Sequence, residues 1–234
     1  MTFSETYATP LWPEKRTFRA AKRPPSQWRE LMIDPTLITV LRHGEVEGAP
    51  HVFRGRSDPV LSANGLQQMQ FALRSFADTR FDSIATSPLA RCRAFADNLA
   101  SETVPVVLND FREMDFGDWE GKTPQAARAL TPELFERFRS NPEGLSPPSG
   151  EPFDVFRKRV ASAFRQWLGN ADGGHRLLVT HAGVMRVLLI EHLGLPVCNL
   201  YRIALPNAAS FQLSVLPGHP PCLLNLNNGL SCAI

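Results

Sequence analysis

The chain has 234 residues, 43% of them hydrophobic, a formal net charge of +2 and four cysteines. That length buries a substantial core without disulfides or metal and fits one α/β domain with an appendage. So small a charge, with no block of like charge beyond the scatter at Glu14-Lys15-Arg16 and Lys22-Arg23, argues against a nucleic-acid surface, so any strong positive field must be local.

Residues 1–34 carry prolines at 10, 13, 24 and 25 and aromatics such as Trp12 and Trp28 without sustained periodicity. They read as an N-terminal extension, packed on the surface or mobile, ahead of a domain at 35–234. Glu5 and Glu14 argue against a transit peptide, which is normally poor in acid. The first residues lack the apolar segment of a signal peptide, and no apolar stretch reaches the length of a membrane span. Cys92, Cys198, Cys222 and Cys232 show no Cys-x-x-Cys, which fits free thiols in a reducing cytosol better than a disulfide framework or a zinc site. A cytoplasmic protein with no membrane or nucleic-acid partner is expected.

Leu37 to Leu41 is a short β-branched apolar run, hence a buried strand, and it ends in Arg42-His43-Gly44-Glu45. Ligands in α/β sheets sit beyond the carboxyl ends of parallel strands, and Gly44 lets the backbone turn sharply there. Arg42 offers a planar fork of donors for a phosphate or carboxylate. A histidine beside a fixed cation is held neutral, and a neutral imidazole is a nucleophile.

Residues 48–64, rich in Gly, Pro, Arg and Asp, read as a surface loop passing back over the strand ends. Leu66, Met69, Phe71, Leu73 and Phe76 predict an amphipathic helix from Ser62 to about Asp78, its apolar stripe in the core. Phe81 to Ala85 is a short strand, after which Ser87 suits an N-cap and Pro88 the first helical position, placing Arg91 in the first turn. A cation there opposes the helix dipole unless an anion binds beside it.

Val104 to Leu108 reads as a strand, followed by the loop 111–121, in which Glu113, Asp115, Asp118 and Glu120 stand among aromatics. Their spacing does not match an EF-hand, and an acid beside an anion site is a candidate proton donor. Helices are predicted over 131–140 and 153–168, with the Pro- and Gly-rich loop 141–150 between them as a candidate lid. Arg176 to Thr180 is a second apolar strand, ending in His181-Ala182-Gly183 and feeding a helix from Val184 to Leu193 with Gly194 as its cap. His51, His175, His192 and His219 show no pairing at metal-ligand spacing. Strands at 201–205, 210–215 and 223–226, separated by Pro206-Asn207 and Pro217-Gly218, predict antiparallel additions to the sheet.

Taken together, the chain resembles the histidine phosphatase superfamily, with its phosphoglycerate-mutase-like fold, and within it the compact phosphatases similar to α-ribazole phosphatase. The likeness covers Leu37 to about Leu216 and rests on five segments in the family's order. These are Leu41 to Glu45, Gly55 to Ser62, Ser87 to Arg91, Leu108 to Gly121 and Val179 to Gly183. The family's Thr or Ser after R-H-G-E is replaced here by Val46, followed by Glu47 and Gly48, so no phosphate role falls to that stretch.

The resemblance implies an α/β three-layer sandwich, a mostly parallel central sheet with helices on both faces. It also implies a phosphatase acting on a small phosphorylated metabolite, with His43 as nucleophile, Glu113 as proton donor and Arg42, Arg91 and His181 on the phosphoryl group, needing no metal or cofactor. A phosphomutase of the phosphoglycerate type would use the same residues. Against it stands the compact stretch from Gly121 to His181, where mutases resembling the family usually carry an insertion. A non-catalytic phospholigand-binding protein, expected to have lost His43 or Glu113, is the third reading, and a scaffold recruiting a partner through the extension is the fourth. The oligomeric state, homodimer included, is open.

Overall fold

The structure, a computed structural model, describes residues 34–76, 80–99, 103–169 and 173–228. The extension expected over 1–34 lies, apart from Asp34, outside the described residues, as do the far end of the helix expected to reach Asp78 and the tail beyond 228.

Strand β1, Thr36–Arg42, lies inside a six-stranded sheet with β2 (Ser83–Thr86), β3 (Val106–Val107), β4 (His175–Thr180), β5 (Ser210–Val215) and β6 (Cys222–Asn227). The order is β3-β2-β4-β1-β5-β6. β3, β2, β4 and β1 run parallel, while β5 and β6 add antiparallel at one edge. Parallel strands covered on both faces read as unbroken apolar runs, as β1 and β4 do.

Side chains alternate across the sheet with period two, and the two faces feed two cores. Ile38, Val40, Leu178, Ala85 and Phe211 point to the larger one, packed by α5 (Phe153–Leu168) and α6 (Ala182–Leu193). Leu41, Ile84, Leu177 and Val179 point to the smaller one, packed by α1 (Ala63–Ala72) and α2 (Ala90–Asp97). The fold is therefore an α/β three-layer sandwich with helices on both faces, as expected. Two further short helices, α3 (Pro124–Leu130) and α4 (Pro132–Ser140), each open on a proline and follow the acidic loop. Among the described residues no helix is long and apolar enough to cross a membrane.

Several local expectations are corrected. Ser62 does cap α1, its hydroxyl accepting from Gly65 N–H at 3.0 Å, but the helix ends at Ala72 and a 3₁₀ turn follows at Arg74–Phe76. Only the Gly65, Met69, Ala72 edge of α1 is buried; Phe71, off that edge, is 67% exposed. Ser87 does not cap α2, which begins at Ala90. Its hydroxyl meets His181 and accepts the Leu89 N–H at 3.3 Å, ahead of the helix, while Asp58 Oδ1 accepts the Ala90 N–H at 2.8 Å. Residues 201–205 form no strand. β5 already occupies the edge of β1, and the segment ends a 3₁₀ helix, Val197–Arg202, whose Tyr201 ring packs against Arg186.

Candidate active site

Register brings the segments together. Arg42 pairs with Thr180 across β1 and β4, and Thr86 with Val179 across β2 and β4. His43, His181 and Ser87 therefore leave neighbouring parallel strands at the same carboxyl edge, and His43 N–H donates to Thr180 C=O at 2.9 Å. Beyond β1 the chain turns through Gly44, which lies against Gly65 in the first turn of α1. A Cβ on either glycine would strike backbone.

The two imidazoles meet edge to face, ring centroids 5.2 Å apart. His43 Nδ1 lies 2.7 Å from Gly44 C=O. A carbonyl can only accept, so Nδ1 carries the hydrogen and the Nε2 lone pair of the neutral ring is left free. Burial, then the positive charges of Arg42 and Arg91, hold the His43 pKa well below the usual histidine range. Burial and Arg91 do the same to His181, whose Nε2 lies 2.6 Å from Ser87 Oγ. Cys92 Sγ sits 3.6 Å from the same nitrogen, and burial pushes its thiol pKa up, so it stays protonated. Cys198 and Cys222 are exposed free thiols.

Arg42 Nη1 donates to Leu205 C=O at 2.6 Å. Desolvation and the neighbouring Arg186 lower its pKa to about 10, leaving it charged at neutral pH. Arg91 is fully buried and donates to the carbonyls of Ser57 (2.7 Å), Arg54 (3.1 Å) and Gly55 (3.3 Å). It thereby pins the loop 54–58 against the strand ends. The Nε–H groups of Arg42 and Arg91 are both buried without an acceptor. Orphan donors of that kind are rare in folded proteins and costly, and an anion would satisfy them.

Glu113 is buried, Oε1 accepting Met114 N–H at 3.0 Å and Oε2 accepting Gly183 N–H at 2.9 Å. It therefore sits on the N-terminus of α6. Gly183 leaves the room, since a Cβ there would overlap the carboxylate. The other three acids of the loop turn elsewhere. Glu120 accepts from Gly55 N–H and Arg56 N–H, Asp115 pairs with Arg56, and Asp118 takes the Ser149 hydroxyl. Arg159 fastens the loop from below, bidentate on Glu151 at 2.7 and 2.8 Å and donating to the carbonyls of Asp110, Arg112 and Glu113.

His43, Arg42 and Glu113 open on a cavity of about 660 Å³, while His181 and Arg91 lie behind His43, out of its wall. The loop 48–54 forms part of that wall, in keeping with its place over the strand ends. The candidate lid, 141–150, does not reach it. That loop is tied to the acidic loop, Asp118 N–H donating to Pro148 C=O at 2.8 Å and Glu151 N–H to Asp115 C=O at 2.9 Å. Arg54, Arg186 and an aromatic wall of Phe53, Phe116, Phe153 and Phe156 complete the cavity. Apart from Phe53 and Arg54, which belong to the loop expected over the strand ends, none of these is singled out by the sequence. Arg186 follows Gly183, whose N–H holds Glu113, by three residues on one helix, and that spacing is the signal that could have found it. Among the described residues no three His, Cys, Asp or Glu side chains come together as a metal-ion site.

Two buried histidines on adjacent parallel strand ends, flanked by guanidiniums and one carboxylate, are a site for oxyanion chemistry. Residues 38–228 match the histidine phosphatase superfamily (branch 1), and the chain belongs to that family. It is 31% identical to phosphoglycerate mutase-like protein 4 of Arabidopsis thaliana over 67% of this chain and 70% of that one. It is 25% identical to the adenosylcobalamin/α-ribazole phosphatase of Salmonella typhimurium over 77% of this chain and 91% of that one. The phosphoserine phosphatase of Entamoeba histolytica, solved with 3-phosphoglyceric acid, superposes with a TM-score of 0.72 at 22% identity, covering 82% of this chain and 96% of that one. The chain is a phosphatase of the histidine phosphatase superfamily, with the phosphoglycerate-mutase-like fold.

Proposed function

We propose that this protein is a cytoplasmic phosphomonoesterase that hydrolyses a small phosphorylated metabolite through a phosphohistidine at His43, without metal or cofactor. The observation that carries the reading is the pairing of a neutral His43, its Nε2 free, with the unsatisfied Nε–H donors of Arg42 and Arg91. A nucleophile and two fixed cations with spare donors are what attack on a phosphoryl group requires, because its transition state is stabilised mainly by positioning and charge.

In the first half-reaction His43 Nε2 attacks phosphorus. The N–P bond forms as the ester P–O bond breaks, and Glu113 gives its proton to the leaving oxygen. In the second, Glu113 takes a proton from water as that water attacks phosphorus, the N–P bond breaks, and inorganic phosphate leaves. Arg42 holds the non-bridging oxygens from the cavity, and Arg91 and His181, which lie behind His43, join it where the phosphoryl group seats between the two imidazoles. Residues 35–234 act as one catalytic domain with 1–34 as its appendage.

A mutase would return the phosphoryl group to substrate instead. The relatives' names span a mutase-like protein, an α-ribazole phosphatase and a phosphoserine phosphatase, so both reactions belong in the assay. Free phosphate should be released from at least one of a panel of nucleoside, sugar, α-ribazole and amino-acid phosphomonoesters, and the release should vanish in His43→Ala. Isomerisation of phosphoglycerate without phosphate release would make the protein a mutase. Phosphate binding with no turnover across the panel would make it a binding protein.

A further inference from the structure

The cavity holds a cation that the proposed phosphoryl chemistry leaves unused. Arg186 lies on α6 three residues after Gly183, whose N–H fixes Glu113. It is therefore one turn farther from the histidines, about 4.5 Å along the helix axis. Its guanidinium packs on the face of Tyr201, 5.5 Å from the ring centroid. Its Nε is buried without an acceptor, and no carboxylate of the described residues pairs with it. Arg42 beside it is repulsive, and the Tyr201 ring and the charge of Glu113, which makes no ion pair with it, only partly offset the cost of desolvating it. Arg186 lines the cavity alongside Phe153, Phe156 and Leu200.

This wall lies on the leaving-group side. The phosphoryl group must sit at His43 Nε2, near the N-terminus of α6, and the leaving oxygen at Glu113, so whatever the oxygen carries extends past Glu113 along the helix. There it meets aromatic rings and one unpaired guanidinium. A cavity of about 660 Å³ falls within the range that encloses ring-sized ligands rather than a three-carbon chain. We infer that the leaving group is a flat apolar unit bearing a carboxylate, its ring in the aromatic-lined part of the cavity, where Phe53, Phe116 and Tyr201 are partly exposed, and its carboxylate on the fork of Arg186. This substrate class rests on the phosphatase reading above.

The test uses two esters of equal shape and nearly equal leaving-group basicity, 4-carboxybenzyl phosphate and 4-carbamoylbenzyl phosphate, with 3-phosphoglycerate as a short acid. The intact protein should prefer the carboxylate over the amide by about tenfold or more in kcat/KM, as a charge-assisted hydrogen bond provides. It should also prefer the carboxylate ester to 3-phosphoglycerate. In Arg186→Gln the ratio between the two benzyl esters should fall to about one, the loss for the acid appearing chiefly in KM, while Arg186→Lys should keep part of the preference.

A ratio near one in the intact protein would overturn the inference. So would equal losses for both esters in Arg186→Gln, which would move Arg186 to the phosphoryl group, and so would a preference for 3-phosphoglycerate. If Arg186→Gln does not fold, the comparison of esters in the intact protein decides alone. Absence of phosphate release from every ester, the general panel included, would refute the phosphatase reading itself, whereas turnover without preference for the carboxylate refutes only the assignment of Arg186.

Discussion

At the scale of single residues, the proposed nucleophile depends on a proton being kept off one nitrogen. Gly44 C=O fixes the hydrogen on Nδ1, while burial, Arg42 and Arg91 oppose a second one on Nε2. A pKa below the usual 6.5 leaves the ring neutral and reactive at and below that pH, so the acid limb of kcat/KM should lie below pH 6.5. Arg42→Gln removes one of the opposing charges, so its acid limb should move toward higher pH even as its rate falls. A pH–rate profile of each protein checks this, and a limb that stays put in the variant would remove Arg42 from the control of His43. This pairing was legible in the sequence, because an Arg beside a His at a strand end has few arrangements open to it. The orphan Nε–H groups and the tautomer were not, since both depend on atoms brought in from other segments.

At the scale of elements, the acid is placed by a loop and a helix together. Glu113 caps α6 through Gly183 N–H, and Arg159 on α5 holds the loop carbonyls beneath it. In Gly183→Ala the new methyl would overlap the Glu113 carboxylate, the movable end of a side chain, and alanine itself suits a helix better than glycine. The variant should therefore fold with about the same stability and lose about 10²-fold in kcat, the cost of a misplaced catalytic group. Circular dichroism on melting and steady-state kinetics separate the two effects; unchanged kcat would argue that Glu113 is not the acid. The strands that carry the site were legible because they are apolar on both faces. The cap of α2 was not, because Ser87 is a good cap by type and only the neighbouring β4 shows its hydroxyl committed to His181. Likewise the apolar residues 201–205 look like a strand until β5 is seen to occupy the edge they would need.

At the scale of the whole molecule, the sheet order puts three chain segments at one edge and buries two neutral histidines there. Each has a folded-state pKa depressed below its unfolded value, chiefly by burial. The unfolded chain therefore binds protons that the folded one refuses, and stability is lost as pH falls below about 6.5, by up to about 1.4 kcal/mol per pH unit for each ring. Urea midpoints should fall between pH 7 and pH 5, and fall less in a His43→Asn variant; equal slopes would mean that His43 is not held neutral. The convergence itself could be anticipated from the five ordered segments, whereas the cavity could not, because Phe53, Phe116, Phe153, Phe156, Arg186 and Tyr201 come from five separate stretches with no shared pattern. The most direct test of the central claim is a rapid acid-free quench of the enzyme turning over a ³²P-labelled phosphomonoester. Label should appear on the protein, stable to alkali, labile to acid and mapped to the peptide containing His43. Turnover with no such label, or label that persists in His43→Ala, would contradict it.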